Sequence, residues 1–110
     1  MATAGKNLSA FDPSTLTNCA DFRIGIVVSA WNGHITQRLL EGALSALDAI
    51  GHKPELRQVL NVPGAFELPL GAQFLLDNTD VDGVIASGVV IQGETRHFDF
   101  VCQGATQGIM

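Results

Sequence analysis

Cysteine and charge are both scarce in this sequence, and each shortage narrows the class of protein. Cys19 and Cys102 are the only cysteines among 110 residues, too few and too far apart for a disulfide framework or a metal knuckle, which favours a reducing, cytoplasmic compartment. Charged residues make up only 15% of the chain and apolar residues 46%. This balance excludes a disordered chain and indicates surface that is buried between subunits.

Basic residues and long apolar runs are also lacking. Six Lys and Arg face eleven Asp and Glu, for a net charge of -5. A nucleic-acid binder normally carries a basic face that displaces phosphate counterions, so we expect no nucleic-acid partner. No apolar segment approaches the ~20 residues that cross a bilayer, and no basic stretch leads into an apolar one at the start of the chain. We therefore expect neither a signal peptide nor contact with a membrane.

Several catalytic motifs are missing. The chain contains no Gly-x-x-x-x-Gly-Lys phosphate loop and no Gly-x-Ser-x-Gly elbow, and "SAWNGH" stands where a dinucleotide fingerprint would follow the first strand. These absences disfavour an NTPase, a serine hydrolase and a nicotinamide enzyme.

The apolar pattern predicts alternating strands and helices in one domain. Residues 1–20 show no period and are predicted to be an N-terminal arm, and residues 21–110 to be a single α/β domain. Strands are predicted at 22–29, 54–60 and 81–90, and helices at 35–50, 65–77 and 97–110. Gly51 should end the first helix, and Pro69 should lie in the first turn of the second. This order predicts a parallel sheet with helices on both faces, a flavodoxin-like three-layer α/β/α sandwich.

Ligands of such sheets bind at the carboxyl edges of the strands. Three loops should meet there, with the sequences "AWNGH", "NVPGAFE" and "QGETRH".

In the third loop, Gly93 and Thr95 can form either a plain turn or an anion cradle at the start of a helix. Arg96 would add positive charge. Glu94 must then point away, or pair with Arg96 or with a basic residue of another chain. His97 is either an ordinary surface histidine or a proton carrier, because the positive end of a helix dipole would keep its ring neutral near pH 7.

The other two loops contain an exposed aromatic and a carboxylate. Trp31 can stack on a planar ligand, with Asn32 bonding a polar edge; alternatively, it packs against the arm or a neighbouring subunit. Glu67 can accept hydrogen bonds from ligand hydroxyls or simply stabilise the start of a helix. Phe66 is expected in the core.

Three segments together resemble a known family. "GIVVSAWN", "VPGAFELP" and "GVVIQGETRHFDFVCQGATQGI" resemble, in order and spacing, the signature segments of 6,7-dimethyl-8-ribityllumazine synthase, the penultimate enzyme of riboflavin biosynthesis. The likeness runs from Phe22 to the last residue. It implies condensation of 5-amino-6-(D-ribitylamino)uracil with 3,4-dihydroxy-2-butanone 4-phosphate, releasing phosphate and water, without a metal or an organic cofactor.

The resemblance also implies a role for each matching residue. Trp31 would stack on the pyrimidine with Asn32 beside it, and His97 would transfer protons. The remaining matches would hold the ribityl chain (Ala65, Phe66 and Glu67), the pyrimidine edge through the backbone (Val90 and Ile91) and the phosphate (Glu94 and Thr95, beside Gly93).

The family further implies a homo-oligomer, either a pentamer or an icosahedral shell, with active sites between subunits. Its chains continue through a fourth strand and two further helices, which supply an arginine for the phosphate and an aromatic residue for a neighbouring subunit. We therefore expect the sequence to be a fragment lacking these C-terminal elements; the other possibility is a natively truncated form. The rival function is a non-catalytic flavodoxin-like ligand-binding or assembly protein, and a second rival is a phosphosugar-binding domain.

Overall fold

Within residues 19–110, three strands and three helices alternate along the chain. The computed structural model describes residue 10, residues 12–16 and residues 19–110. Its elements are β1 (Ile24–Ser29), α1 (Gly33–Ala49), β2 (Arg57–Val62), α2 (Leu68–Asn78), β3 (Gly83–Ser87) and α3 (His97–Ile109). The predicted order of elements is confirmed. Most of the predicted arm lies outside the described residues, and its described part contains one 3₁₀ turn at Pro13–Thr15.

The sheet is parallel and has the strand order β2-β1-β3. Ile24 at the start of β1 is level with Arg57 of β2 and with Gly83 of β3, so the three strands share one amino edge and one carboxyl edge. This order is that of the first three strands of a flavodoxin-like sheet. From β1 the chain passes to β2 on one side of β1 and then to β3 on its other side. The direction of strand addition therefore reverses at the carboxyl ends of β1 and β3, which is the switch point of the sheet.

Helices cover β1 on both faces. Ile26, Val27 and Val28 are all 0% exposed, and neighbouring strand residues point to opposite faces. Helix α2 lies so close to the Val27 face that a Cβ added to Gly71 would come within 2.7 Å of Val27 Cγ1. Helix α1 packs on β1 and β3, and α3 packs on α2. The predicted three-layer arrangement is therefore confirmed.

Element boundaries differ from the prediction by three residues in three places and by no more than two residues elsewhere. Residues Pro54–Leu56 form a 3₁₀ turn, so β2 begins at Arg57 rather than at residue 54; proline has no N–H to give to a strand ladder. Another 3₁₀ turn, Ala65–Glu67, precedes α2. Strand β3 ends at Ser87 instead of residue 90. The prediction placed the end too late because the apolar run continues beyond the strand, into the loop that lines the site described below.

Two helix signals behave as predicted. Gly51, just beyond α1, has a φ of 73°, the left-handed conformation that ends helices and favours glycine. Pro69 lies in the first turn of α2.

Three general features bear on the class of protein. Cys19 and Cys102 are not joined in a disulfide. In the part of the chain that the structure describes, no helix combines the length and apolar character needed to span a membrane. No group of three or more His, Cys, Asp or Glu side chains in this part could share a metal ion.

Candidate functional site

A cavity of about 650 Å³ opens at the carboxyl edge of the sheet and is lined by all three predicted loops. It brings together Trp31, Glu67 and His97, which are far apart in the sequence. The remaining lining comes from the same loops and the start of α3, and comprises Asn32, Gly64, Ala65, Phe66, Val89, Val90, Ile91, Gly93, Thr95, Phe98, Phe100 and Val101.

Backbone hydrogen bonds fix the first loop to the second. The Ala30 N–H donates to Val62 O at 2.8 Å, and the Trp31 N–H donates to Pro63 O at 3.0 Å, so the pairing of β1 with β2 continues beyond the ends of both strands. The Trp31 indole is nevertheless 74% exposed. A rigid backbone therefore presents a flat aromatic ring at the cavity, as a stacking role requires.

Asn32 has a left-handed backbone, with φ 59° and ψ 46°. It is the single non-glycine residue with a positive φ among the described residues, and asparagine is one of the few side chains that tolerate this region. Its carbonyl accepts the Ile35 and Thr36 N–H groups at the start of α1, but its side chain makes no capping bond. The amide is thus left for another partner at the cavity.

Glu67 stabilises the second loop with one of its two carboxylate oxygens. Oε2 accepts the Gly64 N–H at 2.9 Å, closing the 3₁₀ turn Ala65–Glu67. No hydrogen bond within the described part of the chain involves Oε1. The two predicted roles are therefore compatible, since one oxygen stabilises the turn and the other remains for ligand hydroxyls.

Phe66 was expected in the core, and this expectation was wrong. The ring is 58% exposed and lines the cavity. The buried positions of this turn are Ala65, at 8% exposure, and Leu68, at 7%. These two residues are three apart, so they lie on one side of the 3₁₀ turn and the start of α2, and Phe66 in between points away from the core.

Helix α3 starts at His97, beside the third loop. The His97 N–H donates to Thr95 Oγ1 at 3.4 Å, a long bond that holds the hydroxyl near the helix start. The His97 ring is exposed and makes no hydrogen bond within the described residues. Gly93 and Thr95 both line the cavity, and the open amino end of the helix suits an anion.

Glu94 is the one predicted site residue that does not line the cavity. Its suggested pairing with Arg96 is not formed, because Arg96 Nε instead lies 3.7 Å from Asp99 Oδ2. Both groups of that pair are exposed, and Arg96 does not line the cavity either. Within the described part of a single chain, then, the groups that the predicted anion cradle would use are backbone N–H groups and the Thr95 hydroxyl.

Sequence reasoning missed part of the wall that α3 contributes. Phe100 and Val101 line the cavity together with His97. The signal was present, because residues three and four positions apart lie on the same helix face. Once His97 is placed at the site, the residues one turn further along the same helix face are expected to line it as well.

Comparison with known proteins supports one family. The sequence model of 6,7-dimethyl-8-ribityllumazine synthase matches residues 21–110. Among curated proteins, the chain is 55% identical to the 6,7-dimethyl-8-ribityllumazine synthase of Flavobacterium johnsoniae, over 99% of this chain and 57% of that protein. It is 50% identical to the enzyme of that name from Parabacteroides distasonis, over 99% and 68% respectively. It is 52% identical to the enzyme of the same name from Flavobacterium psychrophilum, over 99% of this chain and 58% of that protein. The chain thus spans between 57% and 68% of the length of these three relatives.

Proposed function

Because the chain belongs to the 6,7-dimethyl-8-ribityllumazine synthase family, we propose that the complete protein makes 6,7-dimethyl-8-ribityllumazine, in the penultimate step of riboflavin biosynthesis. The substrates are 5-amino-6-(D-ribitylamino)uracil and 3,4-dihydroxy-2-butanone 4-phosphate. The observation that carries the proposal is the single cavity that Trp31, Glu67 and His97 line from three separate loops.

Each part of the cavity suits one part of the substrates. The Trp31 ring stacks on the pyrimidine, the Asn32 amide bonds its polar edge, and the backbone of Val90 and Ile91 bonds the remaining edge. Glu67 Oε1 accepts ribityl hydroxyls in the turn that also contains Ala65 and Phe66. The butanone phosphate lies near the start of α3, held by Gly93 and Thr95, with Glu94 close by; His97 transfers protons.

The reaction needs little from the protein beyond orientation and proton transfer. The amine and the ketone form an imine with loss of one water, phosphate leaves by elimination, and ring closure by the ribitylamino nitrogen releases a second water. None of these steps needs a strong protein nucleophile, a metal or an organic cofactor. Alignment of two reactants can contribute on the order of 7–11 kcal/mol, whereas general acid–base help from one histidine adds ~10²–10⁴-fold.

We further propose that the protein is a cytoplasmic homo-oligomer, either a pentamer or an icosahedral shell, whose subunits share the cavity. Its rim is apolar and open in the single chain: Trp31, Phe66 and Phe100 are 74%, 58% and 65% exposed. A second subunit placed over this rim would bury these rings and exclude water from the reaction.

The test mixes the complete protein with both substrates and follows the fluorescence of the lumazine product. Product formation above the uncatalysed rate is expected. In parallel, Trp31 emission is titrated with the ribitylamino-pyrimidine, and a Trp31→Phe variant identifies the part of the signal that comes from this residue. Binding without product would favour the non-catalytic alternative. A Trp31 response to sugar phosphates but not to pyrimidines would favour the phosphosugar-binding domain.

A further inference from the structure

One face of α3 presents cavity-lining side chains at the start of the helix and two glycines further along. His97, Phe100 and Val101 line the cavity at the start of the helix. One and two turns further along, the same face continues with Gly104 and Gly108, which have no side chain to present. In this part of α3, Gly104 lies against Phe66 of the 3₁₀ turn and Gly108 against Pro69 at the start of α2.

Phe66 lies directly against the bare backbone at Gly104. A Cβ added to Gly104 would overlap the ring at Cε2 and lie 3.0 Å from Cδ2 and 3.4 Å from Cζ. Such distances leave no room for a methyl group while the ring stays in place, and because every contacted atom belongs to the half-exposed Phe66 side chain, the ring is the part that would move. The edge of the ring therefore depends on the absence of a side chain at residue 104.

The backbone beneath the ring is much less free to move than the ring itself. Ala65 and Leu68 hold the turn in the core at 8% and 7% exposure, and the bond from the Gly64 N–H to Glu67 closes it. A methyl group at residue 104 would therefore turn the Phe66 side chain, because the backbone turn is anchored on both sides. The ring would rotate into the cavity or out into solvent.

We propose that Gly104 is a positioning residue for the substrate site: by having no side chain, it seats the Phe66 ring and thereby sets the wall against which the ribityl chain of the pyrimidine lies. The inference rests on the proposed function for the identity of the ligand. Gly104 itself does not line the cavity and acts only through Phe66.

Two other helical glycines provide matched controls. A Cβ on Gly108 would come within 2.5 Å of Pro69 Cγ, so Gly108→Ala creates a similar clash on the same helix, but against a residue that does not line the cavity. A Cβ on Gly42 of α1 would meet nothing within 4 Å. Gly42→Ala therefore reports the effect of alanine in a helix without any clash.

The experiment places each alanine in the complete protein and measures the affinity for 6,7-dimethyl-8-ribityllumazine by calorimetry, together with steady-state kinetics. A displaced ring should weaken lumazine binding and raise KM for the pyrimidine by about tenfold in Gly104→Ala, which corresponds to about 1.4 kcal/mol. Its KM for the butanone phosphate and its kcat should change much less. Gly108→Ala and Gly42→Ala should bind lumazine as the unmodified protein does. A Gly104→Ala protein that binds like Gly108→Ala would overturn the proposal.

The same substitution made in a Phe66→Ala protein tests whether Gly104 acts through the Phe66 ring. In a Phe66→Ala protein the added methyl group has no ring to meet, so Gly104→Ala should then change affinity by less than about twofold. An equal loss in both backgrounds would contradict the seating of the ring. If Gly104→Ala alone fails to fold, a folded Phe66→Ala/Gly104→Ala double variant supports the proposal, and failure of both variants to fold refutes it.

The same set of variants separates this inference from the proposed function. If the unmodified protein binds no lumazine, the proposed function fails, and the equilibrium constant of unfolding then decides the role of Gly104. Gly104→Ala should give a constant about fivefold or more above that of Gly42→Ala when Phe66 is present, whereas in the Phe66→Ala background the two alanines should have the same effect, since helix propensity is then the main change in both. Equal effects in both backgrounds would show that Phe66 and Gly104 are not coupled.

Discussion

One carboxylate oxygen of Glu67 stabilises the turn and the other remains for a ligand in the cavity. Substitutions of Glu67 should therefore separate the effect on stability from the effect on binding. Glu67→Ala removes both acceptors and should lower the free energy of unfolding by about 1 kcal/mol, as other lost caps do, and also weaken lumazine binding. Glu67→Gln keeps one carbonyl oxygen for the Gly64 N–H, so its stability should stay close to that of the unmodified protein while its affinity falls. Urea denaturation and calorimetry measure the two effects.

Glu41 on α1 provides the control for Glu67. Its carboxylate is exposed and pairs with Arg38 at 2.9 Å, three residues away on the same helix. Glu41→Ala should cost no more than about 0.5 kcal/mol and should not alter lumazine binding. Unchanged stability and unchanged affinity in Glu67→Ala would refute both roles assigned to that residue.

His97 should affect the rate of the reaction and leave binding of the product largely intact. Loss of general acid–base catalysis in His97→Ala should reduce kcat by about 10²–10⁴-fold, while orientation by the remaining cavity preserves residual turnover. Lumazine fluorescence measures the rate, and calorimetry measures the affinity for the product. His34→Ala is the control, because His34 is exposed on α1 and does not line the cavity. Complete loss of turnover in a folded, assembled His97→Ala protein, or an unchanged kcat, would contradict the assignment.

Sequence could predict the loop residues of the site but not the packing around them. Trp31, Glu67 and His97 lie in or at the end of the loops that follow three strands, and the parallel topology brings the ends of such strands to one edge. The exposure of Phe66 could not be predicted, because it depends on a 3₁₀ turn that buries Ala65 and Leu68 on its other side. The contact of Phe66 with Gly104 joins residues far apart in the sequence, and nothing in either local pattern indicates it.

At the scale of elements, Gly71 lets α2 approach the sheet closely. A Cβ added there would lie 2.7 Å from Val27 Cγ1 and 2.8 Å from Val62 Cγ1, two buried side chains of β1 and β2. Gly71→Ala should therefore lower the free energy of unfolding by about 1–3 kcal/mol through overpacking, although alanine is the better helix former.

The open helical position Gly42 should respond in the opposite direction. Gly42→Ala should raise the free energy of unfolding by up to about 1 kcal/mol, because helix propensity is then the main change. Urea denaturation of both variants gives the comparison. Stabilisation by both alanines would show that α2 moves away from the sheet at little cost, which the proposed close packing does not allow.

The elements themselves were largely predictable, and their ends were less so. Period and β-branched content located all three strands and all three helices, since those patterns follow from which faces are buried. The end of β3 was placed too late because Val89 and Val90 remain apolar after the strand has ended. Both residues line the cavity. An apolar ligand wall and an apolar strand look alike in sequence, and only the hydrogen-bond ladder distinguishes them.

At the scale of the whole molecule, a group of three ion pairs and the cavity lie at opposite edges of the sheet. The cavity occupies the carboxyl edge, whereas the segments that lead into the strands form three ion pairs at the amino edge, namely Arg23–Asp80, Lys53–Asp21 and Arg57–Asp48. Arg57 is the most buried of these cations, with a side chain 7% exposed. We therefore expect changes of charge at the amino edge to alter stability without altering the site.

Asp21 and Lys53 allow this expectation to be tested by pH. The hydrogen bond from Lys53, aided by its charge, holds the pKa of the Asp21 carboxyl below the ordinary value of 3.8. The same pair raises the pKa of Lys53 above its ordinary value of 10.5. By linkage, the Asp21 contribution to stability is present above pH 3.8 and is lost as the pH falls through the lowered folded-state value. The Lys53 contribution is present below pH 10.5 and is lost as the pH rises through the raised value.

Asp21→Asn should therefore lose stability relative to the unmodified protein between pH 3.8 and 10.5, and the difference should shrink beyond both limits. Because both side chains are largely exposed, added salt should also reduce the difference. Urea midpoints measured across pH at low and high salt provide the measurement. Asp77 on α2 forms no ion pair among the described residues, and an amide oxygen in Asp77→Asn can still accept the hydrogen bond from Gln73 Nε2. This variant therefore corrects for net charge. A difference that does not vary with pH would argue against the pair. Altered lumazine affinity at neutral pH would argue against the separation of the two edges, since Asp21 lies at the start of the strands and the cavity at their ends.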